Sequence, residues 1–416
     1  MKGFKMTKAA VVAATAFAAA APAFAQSSVT LYGIVDDSIV YQNSQTNLGR
    51  SAQGRSNVKT ASGIWAGSRF GLKGAEDLGG GNKAIFQLES GFDINNGNQQ
   101  FTNAMFARQA WVGLTNANYG TLTVGRQYTS YYTLLSPYSP TNWLTGYFGA
   151  HPGDIDNMDT IYRANNSVVY TSPKLYGFTV SGSYSFAGVP GSAYQGSAWS
   201  AAVQYAQGPV GMTVAFERFN NAANGGGIYS GSSAVVNNTA ATDGTGQPGV
   251  SALTAGYQRA QAQNRFAVAG GYAFNSAWDI SVTYSNVQYI PGVNSLFTDE
   301  AIFNTAGTVL HWKASSAWDF AAGYSYTWAS KANGITSAAS YHQFNLSQYY
   351  ALSKRTGFYA LEAFQRANGN TLSQPGTNGT PGRQVAANAT LGDGFQNAPS
   401  ATRNMFGAGV GIIHRF

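Results

Sequence analysis

The chain has 416 residues, no cysteine, a formal net charge of +7 and only 10% charged residues. The missing thiols exclude a disulfide framework, thiolate metal sites and a cysteine nucleophile. Mean hydropathy is nonetheless only −0.17, so glycine and neutral polar residues replace the charges, which make up about 25% of an ordinary soluble domain. That balance suits a wall with one apolar face and one hydroxyl- and amide-rich face.

At the N-terminus, Lys2, Lys5 and Lys8 precede an alanine-rich apolar run from Ala9 to Ala21 and the small-residue site Ala23-Phe24-Ala25. A basic start, a short apolar stretch and an A-x-A-like end predict a secretory signal peptide over 1–25, removed to leave a mature domain over 26–416. Loss of its three lysines lowers the net charge from +7 to +4. No Lys/Arg run follows, so nothing here predicts a nucleic-acid surface. No later apolar run approaches the ~20 residues of a membrane helix, so any membrane crossing must be made by strands.

The mature chain alternates with a period of two. In 177–186, Phe178, Val180, Tyr184 and Phe186 oppose Thr179, Ser181, Ser183 and Ser185; in 278–289, Trp278, Ile280, Val282 and Tyr284 oppose Asp279, Ser281, Thr283 and Ser285. Short connections at Gly79-Gly80-Gly81-Asn82, Gln207-Gly208-Pro209, Asn275-Ser276-Ala277 and Ser353-Lys354-Arg355 alternate with long ones near 43–61, 128–162, 220–262 and 367–402. A soluble sandwich shares the alternation but not the two-sided loop lengths, which predict an all-β, antiparallel up-and-down transmembrane barrel of about 16 strands. The segment SALTAGYQR (251–259) would make the number odd, so it is assigned to a hairpin of the fifth loop, within 220–262. The repeat SAWDISVTYS (276–285) and SAWDFAAGYS (316–325) places Trp278 and Trp318 at one level, in an aromatic girdle. Gly33, Gly71 and Gly74 are read as easing strand curvature. The last strand, 404–416, ends on the aromatic Phe416.

The stretches SSVTLYGIVD (27–36), SRFGLKGAEDLGGGNKAIFQLESGF (68–92), ARQAWVGL (107–114), YGTLTVGRQY (119–128), RANNSVVYTSP (163–173) and VGIIHRF (410–416) resemble the general porins of β-proteobacteria, the neisserial and Burkholderia type of the Gram-negative porin superfamily. The resemblance implies a trimeric outer-membrane channel for small hydrophilic solutes and ions, in contact with lipid and lipopolysaccharide. It also implies an inward-folded third loop that narrows the pore. By that resemblance Arg69, Arg108, Arg126 and Arg163 match a ladder of arginines on the wall opposite the loop, and Asp154, Asp156 and Asp159 in HPGDIDNMDT (151–160) on the loop supply the facing acids. A basic wall opposite an acidic loop gives a transverse field at the constriction and a weak lean toward anions. Two residues depart from the pattern: Asp37, on the outer face of the first strand, and Glu362, in phase with Phe358 and Phe364. Either the phase slips there or these acids meet another subunit.

No enzyme, cofactor or metal is expected. GTGQPG (244–249) matches G-x-G-x-x-G literally but follows no strand, and Pro248 interrupts any helix. Asp154-Ile155-Asp156 lacks the glycine and closing glutamate of a calcium loop. His151, His311, His342 and His414 have neither metal-ligand spacing nor a nucleophile partner, and read as polar or interfacial residues. A substrate-specific channel, an outer-membrane enzyme and an adhesin remain the competing readings.

Overall fold

The computed structural model describes residues 28–46, 54–101, 104–159, 162–220, 253–293, 295–376, 379–392 and 400–416; the signal peptide expected over 1–25 and the glycine motif at 244–249 lie outside them. The first stave, β1 (Ser28–Gln45), is antiparallel to β2, which is broken into Arg55–Ser62 and Arg69–Gly79, both pairing with β1. There follow β3 (Asn82–Gly91), β4 (Gln109–Asn116), β5 (Gly120–Gln127), β6 (Ala164–Thr171), β7 (Phe178–Ser185), β8 (Ala198–Gln207), β9 (Val210–Asn220) and β10 (Ala262–Ala273). The wall continues through β11 (Trp278–Ile290), β12 (Ala301–Lys313), β13 (Trp318–Ala329), β14 (Ser340–Ala351), β15 (Thr356–Asn368) and β16 (Asn404–Arg415), which closes on β1 with Asp37 opposite Ile412. The result is a closed antiparallel barrel of sixteen staves. Closure leaves no sheet edge, so backbone groups in the wall are paired without water.

The alternation decides which residues meet lipid. Val282 and Tyr284 on β11, and Phe178 and Val180 on β7, point outward and are exposed, while the alternating serines and threonines point in and are buried or half-buried. At the short-turn end Trp278 stacks on Trp312 at 5.3 Å and Trp318 on Phe320 at 5.6 Å, forming the expected aromatic level. The turn after β2 uses Gly79, Gly80 and Gly81 at φ of +81°, +62° and +79°, a left-handed run that side chains resist. Gly33 lies under the ring of Phe416, whose backbone exchanges hydrogen bonds with it in both directions, so the terminal aromatic sits in the closing seam.

Three expectations are corrected. The first connection is shorter than 43–61, because β1 runs to Gln45 and Arg55–Ser62 is already strand. The described part of 251–259 forms no hairpin; Ala255–Tyr257 is a 3-10 turn with Leu253 and Tyr257 buried inside the barrel against Tyr289 and Phe303. Gly71 and Gly74 are close-approach positions rather than bends, since a Cβ there would strike the rings of Tyr32 and Phe86.

Candidate functional site

The third loop, described over 128–159 and 162–163, folds into the barrel. Its first helix, α1 (Ser130–Leu135), packs on β7, β8 and β9, and α2 (Thr141–Leu144) and α3 (Gly146–Gly149) carry the loop on toward β15. The polar inner face of the staves satisfies the loop's backbone. Thr213 Oγ1 and Gln204 Nε2 donate to the Leu134 carbonyl at 2.7 and 2.9 Å, Ser347 Oγ to Trp143 at 2.6 Å, and Asn345 Nδ2 to Phe148 at 2.6 Å. Buried carbonyls must find such partners. Glycines on the same face receive the loop's side chains: Tyr138 lies on Gly211 and Gly271, Leu144 on Gly323, and Phe148 on Gly407.

The loop is also held by two histidine clusters. His151 Nδ1 is 2.6 Å from Asp156 Oδ2, Ser285 Oγ of β11 donates to the same oxygen at 2.6 Å, and Thr283 Oγ1 is 3.2 Å from His151 Nε2. Burial raises the Asp156 carboxyl, but His151 and the hydrogen bonds outweigh it and leave Asp156 below the usual carboxylate range. In the second cluster, His311 of β12 lies 2.7 Å from Asp279 and 3.2 Å from Asp319, the repeat's two aspartates, and stacks on Trp143 at 3.4 Å.

A space of about 440 Å³ remains between this loop and the wall of β2 to β5. Its wall side is built by the break in β2. Asp36, fully buried, accepts the Trp65 and Ala66 amides at 2.8 and 2.7 Å and the Tyr359 hydroxyl, which holds 63–68 off the ladder and turns Trp65 onto Tyr349 at 4.9 Å. Just past the break, Arg69 Nε donates to the Gly67 carbonyl at 2.9 Å, and the guanidinium borders the space with its side chain 21% exposed. Glu89 of β3 lies 4.0 Å from Arg69 and 2.8 Å from Arg108 Nε, and accepts the Tyr32 hydroxyl at 2.9 Å. Arg108, immediately before β4, also donates to Gln100 at 3.1 Å. Arg163, before β6, donates to the Tyr128 hydroxyl at 2.7 Å and lies over its ring, and Arg108 approaches the same oxygen at 3.4 Å. Burial raises the Tyr128 phenol, but Arg163, Arg108 and Arg69 together hold it below the ordinary tyrosine value.

The expected site residues therefore separate. Arg69 and Arg108 border the space and Arg163 adjoins it through Tyr128, whereas Arg126, rotated at a bulge between Gly125 and Gln127, ties the loop roots together through Ala107 O and Asn165. Asp159 borders the space from the loop side, and Asp154 Oδ1 accepts the Asp159 amide at 3.0 Å. Asp156 faces the wall of β11 with no exposure and anchors the loop instead of the lumen. Sequence reasoning missed Asp36, Glu89, Gln100 and Tyr128. The alternation that turned Asp37 outward would have found Asp36 on the inner face. Among the described residues no group of three His, Cys, Asp or Glu side chains could hold a metal ion.

Comparison with known proteins agrees with this architecture. The family model for Gram-negative porins matches residues 9–371. An outer membrane porin of Bordetella pertussis is 32% identical over 52% of this chain, which spans 60% of that relative's length. The anion-selective porin from Comamonas acidovorans superposes with a TM-score of 0.65 at 21% identity, covering 94% of this chain and all of that one. The trimer form of OmpT, an outer membrane protein of Vibrio cholerae, gives 0.63 at 16% identity, with 94% and 99% covered. With the family match extending over most of its length, the chain belongs to the Gram-negative porin family.

Proposed function

We propose that the protein is a general diffusion porin of the bacterial outer membrane, a non-enzymatic, water-filled channel for small hydrophilic solutes and ions with a weak lean toward anions. The observation that carries this reading is the ~440 Å³ space in the barrel, bordered by Arg69 and Arg108 on one side and Asp159 on the other. Charged groups facing each other across a narrow lumen impose a transverse field and select by size and sign. In this reading the constriction is lined by Arg69, Arg108 and Arg163 opposite Asp159, with Asp154 bracing that acid, and with Arg126 and Asp156 acting through the loop they hold.

Export uses residues 1–25 as a cleaved signal, and the mature barrel assembles as a homotrimer. The trimer is supported by Asp37 and Glu362, both turned outward where lipid would disfavour a carboxylate; Glu362 accepts Gln348 Nε2 at 2.9 Å. Planar-bilayer recording in a salt gradient tests the channel: stepwise conductance with a zero-current potential on the anion side is expected, and absence of steady current overturns the reading.

A further inference from the structure

A second polar constellation stands on the outside of the barrel, unconnected with the lumen. On β9 the outward residues Val210, Met212, Val214 and Phe216 are apolar, and the next outward position is Arg218. With ~3.3 Å per residue and a tilt of 35–45°, Arg218 stands roughly 20 Å above Val210, at the upper border of an apolar band typically ~25 Å tall. The ladder puts Asn264 of β10 beside Arg218, Gln288 of β11 beside Asn264, and Asn304 of β12 beside Asn286.

These side chains form one hydrogen-bonded belt. Arg218 Nη1 donates to Asn264 Oδ1 at 2.7 Å, Asn264 Nδ2 to Gln288 Oε1 at 3.1 Å, Gln288 Nε2 to Asn286 Oδ1 at 3.0 Å, and Asn286 Nδ2 to Asn304 Oδ1 at 2.8 Å. Arg218 is further fixed by the Tyr194 hydroxyl at 3.0 Å and by Asn220 at 2.8 Å. Tyr194, Asn220 and Asn264 are all neutral, and among the described residues no carboxylate lies within ion-pair distance of Arg218. Each primary amide used once as a donor retains a second N–H. A held, unneutralised guanidinium beside a row of amide donors, at the upper border of the apolar wall, is complementary to a phosphate-bearing sugar.

We propose that the belt from Arg218 to Asn304 is a docking site for the phosphorylated disaccharide headgroup of lipopolysaccharide in the outer leaflet. The proposal rests on the outer-membrane porin reading, which sets the long-loop end outward. Arg218 takes a phosphate, the amides of Asn264, Asn286 and Gln288 take sugar hydroxyls and further phosphate oxygens, and the acyl chains lie on Phe216, Phe266 and Val282 below.

The test uses the full mature barrel in detergent micelles doped with diphosphoryl lipid A, dephosphorylated lipid A or phosphatidylglycerol, with bound lipid read by native mass spectrometry. Diphosphoryl lipid A should be retained in preference to the other two. Arg218→Gln should weaken its retention about tenfold, the loss of one charge-assisted contact, and Asn264→Ala with Asn286→Ala should weaken it further. Arg366→Gln, an exposed arginine on the outward face of β15 beyond this belt, should leave retention unchanged. Equal retention of phosphatidylglycerol, or an equal loss from Arg366→Gln and Arg218→Gln, overturns the proposal. Single-channel conductance of each variant separates the two readings: wild-type conductance with unaltered lipid retention sinks the docking site alone, while a wild type without conductance sinks the channel.

Discussion

Glu89 is shared by Arg69 and Arg108, so the wall keeps more positive than negative charge, and Arg69 is the guanidinium most open to the lumen. Replacing Arg69, Arg108 and Arg163 together by Gln is expected to move the zero-current potential toward cations. The shift should be larger at low salt, because a field screened over ~10 Å at 0.1 M acts further when salt is dilute. Arg126→Gln, whose parent side chain is engaged by Ala107 O and Asn165, should leave the potential near wild type while loosening the loop roots. Tyr128 adds a pH dependence. Its phenol lies below the ordinary tyrosine value because Arg163, Arg108 and Arg69 outweigh its burial, so it loses its proton earlier than a free tyrosine as pH rises. Each ionisation puts one negative charge beside the arginines, and anion preference should therefore decline with rising alkaline pH. In Tyr128→Phe that decline should flatten, and an unchanged profile of potential against pH would show that Tyr128 does not titrate at the constriction.

Loop 128–163 shows what could and could not be read from the chain. Its excess length over a plain connection marked it as functional, and period-two alternation placed the wall residues on the correct faces, because side-chain direction in a strand depends only on parity. Parity ends where the ladder does. Arg126 shares the parity of outward Leu122 and Val124, yet a bulge at Gly125 turns it, and the break at 63–68 is set by Asp36, a contact between residues about 30 apart. Asp156 was misread for a similar reason: only the fold brings Ser285 to it, 129 positions away. Leaving a buried carboxylate without one of its hydrogen-bond partners costs about 1–3 kcal/mol or more, so His151→Ala should release the loop from β11 while the wall's ladder keeps the barrel folded; larger and noisier single-channel conductance is the expected readout. The sign with pH follows from Asp156. Its carboxyl is depressed in the folded loop, so its contribution is complete above the ordinary carboxylate range and is lost as pH falls below that range. Wild-type conductance should become unsteady only in strong acid. Gly407→Val tests the glycine seats separately, since its side chain would meet the buried Phe148 ring and push α3 into the lumen; lower conductance is expected.

At the scale of the whole molecule, a further region of the outer surface departs from an apolar wall. A groove of about 980 Å³ crosses β1, β16, β15, β14 and β13, with Phe358, Tyr350, Trp318, Val410 and Ile412 around it and Asp37 and Gln348 within its lining. One carboxylate oxygen of Asp37 is buried with no hydrogen-bond partner in the single barrel. A lone carboxylate in lipid is unfavourable, whereas a neighbouring subunit can supply a donor and fill an apolar groove at once. The groove is therefore expected to be covered in a homotrimer. Ala360→Arg, in the lining, should dissociate unheated complexes toward single subunits. The control is Val214→Arg on the opposite outward wall, because an arginine facing lipid costs about 2–4 kcal/mol at mid-membrane wherever it is placed. Val214→Arg should lower folding yield yet leave the folded fraction trimeric, so the two variants separate loss of contact from loss of fold. Gel mobility before and after heating reads both. Wild-type protein that migrates unheated at the position of one subunit would remove the trimer, and equal dissociation by the two substitutions would remove the groove as its interface.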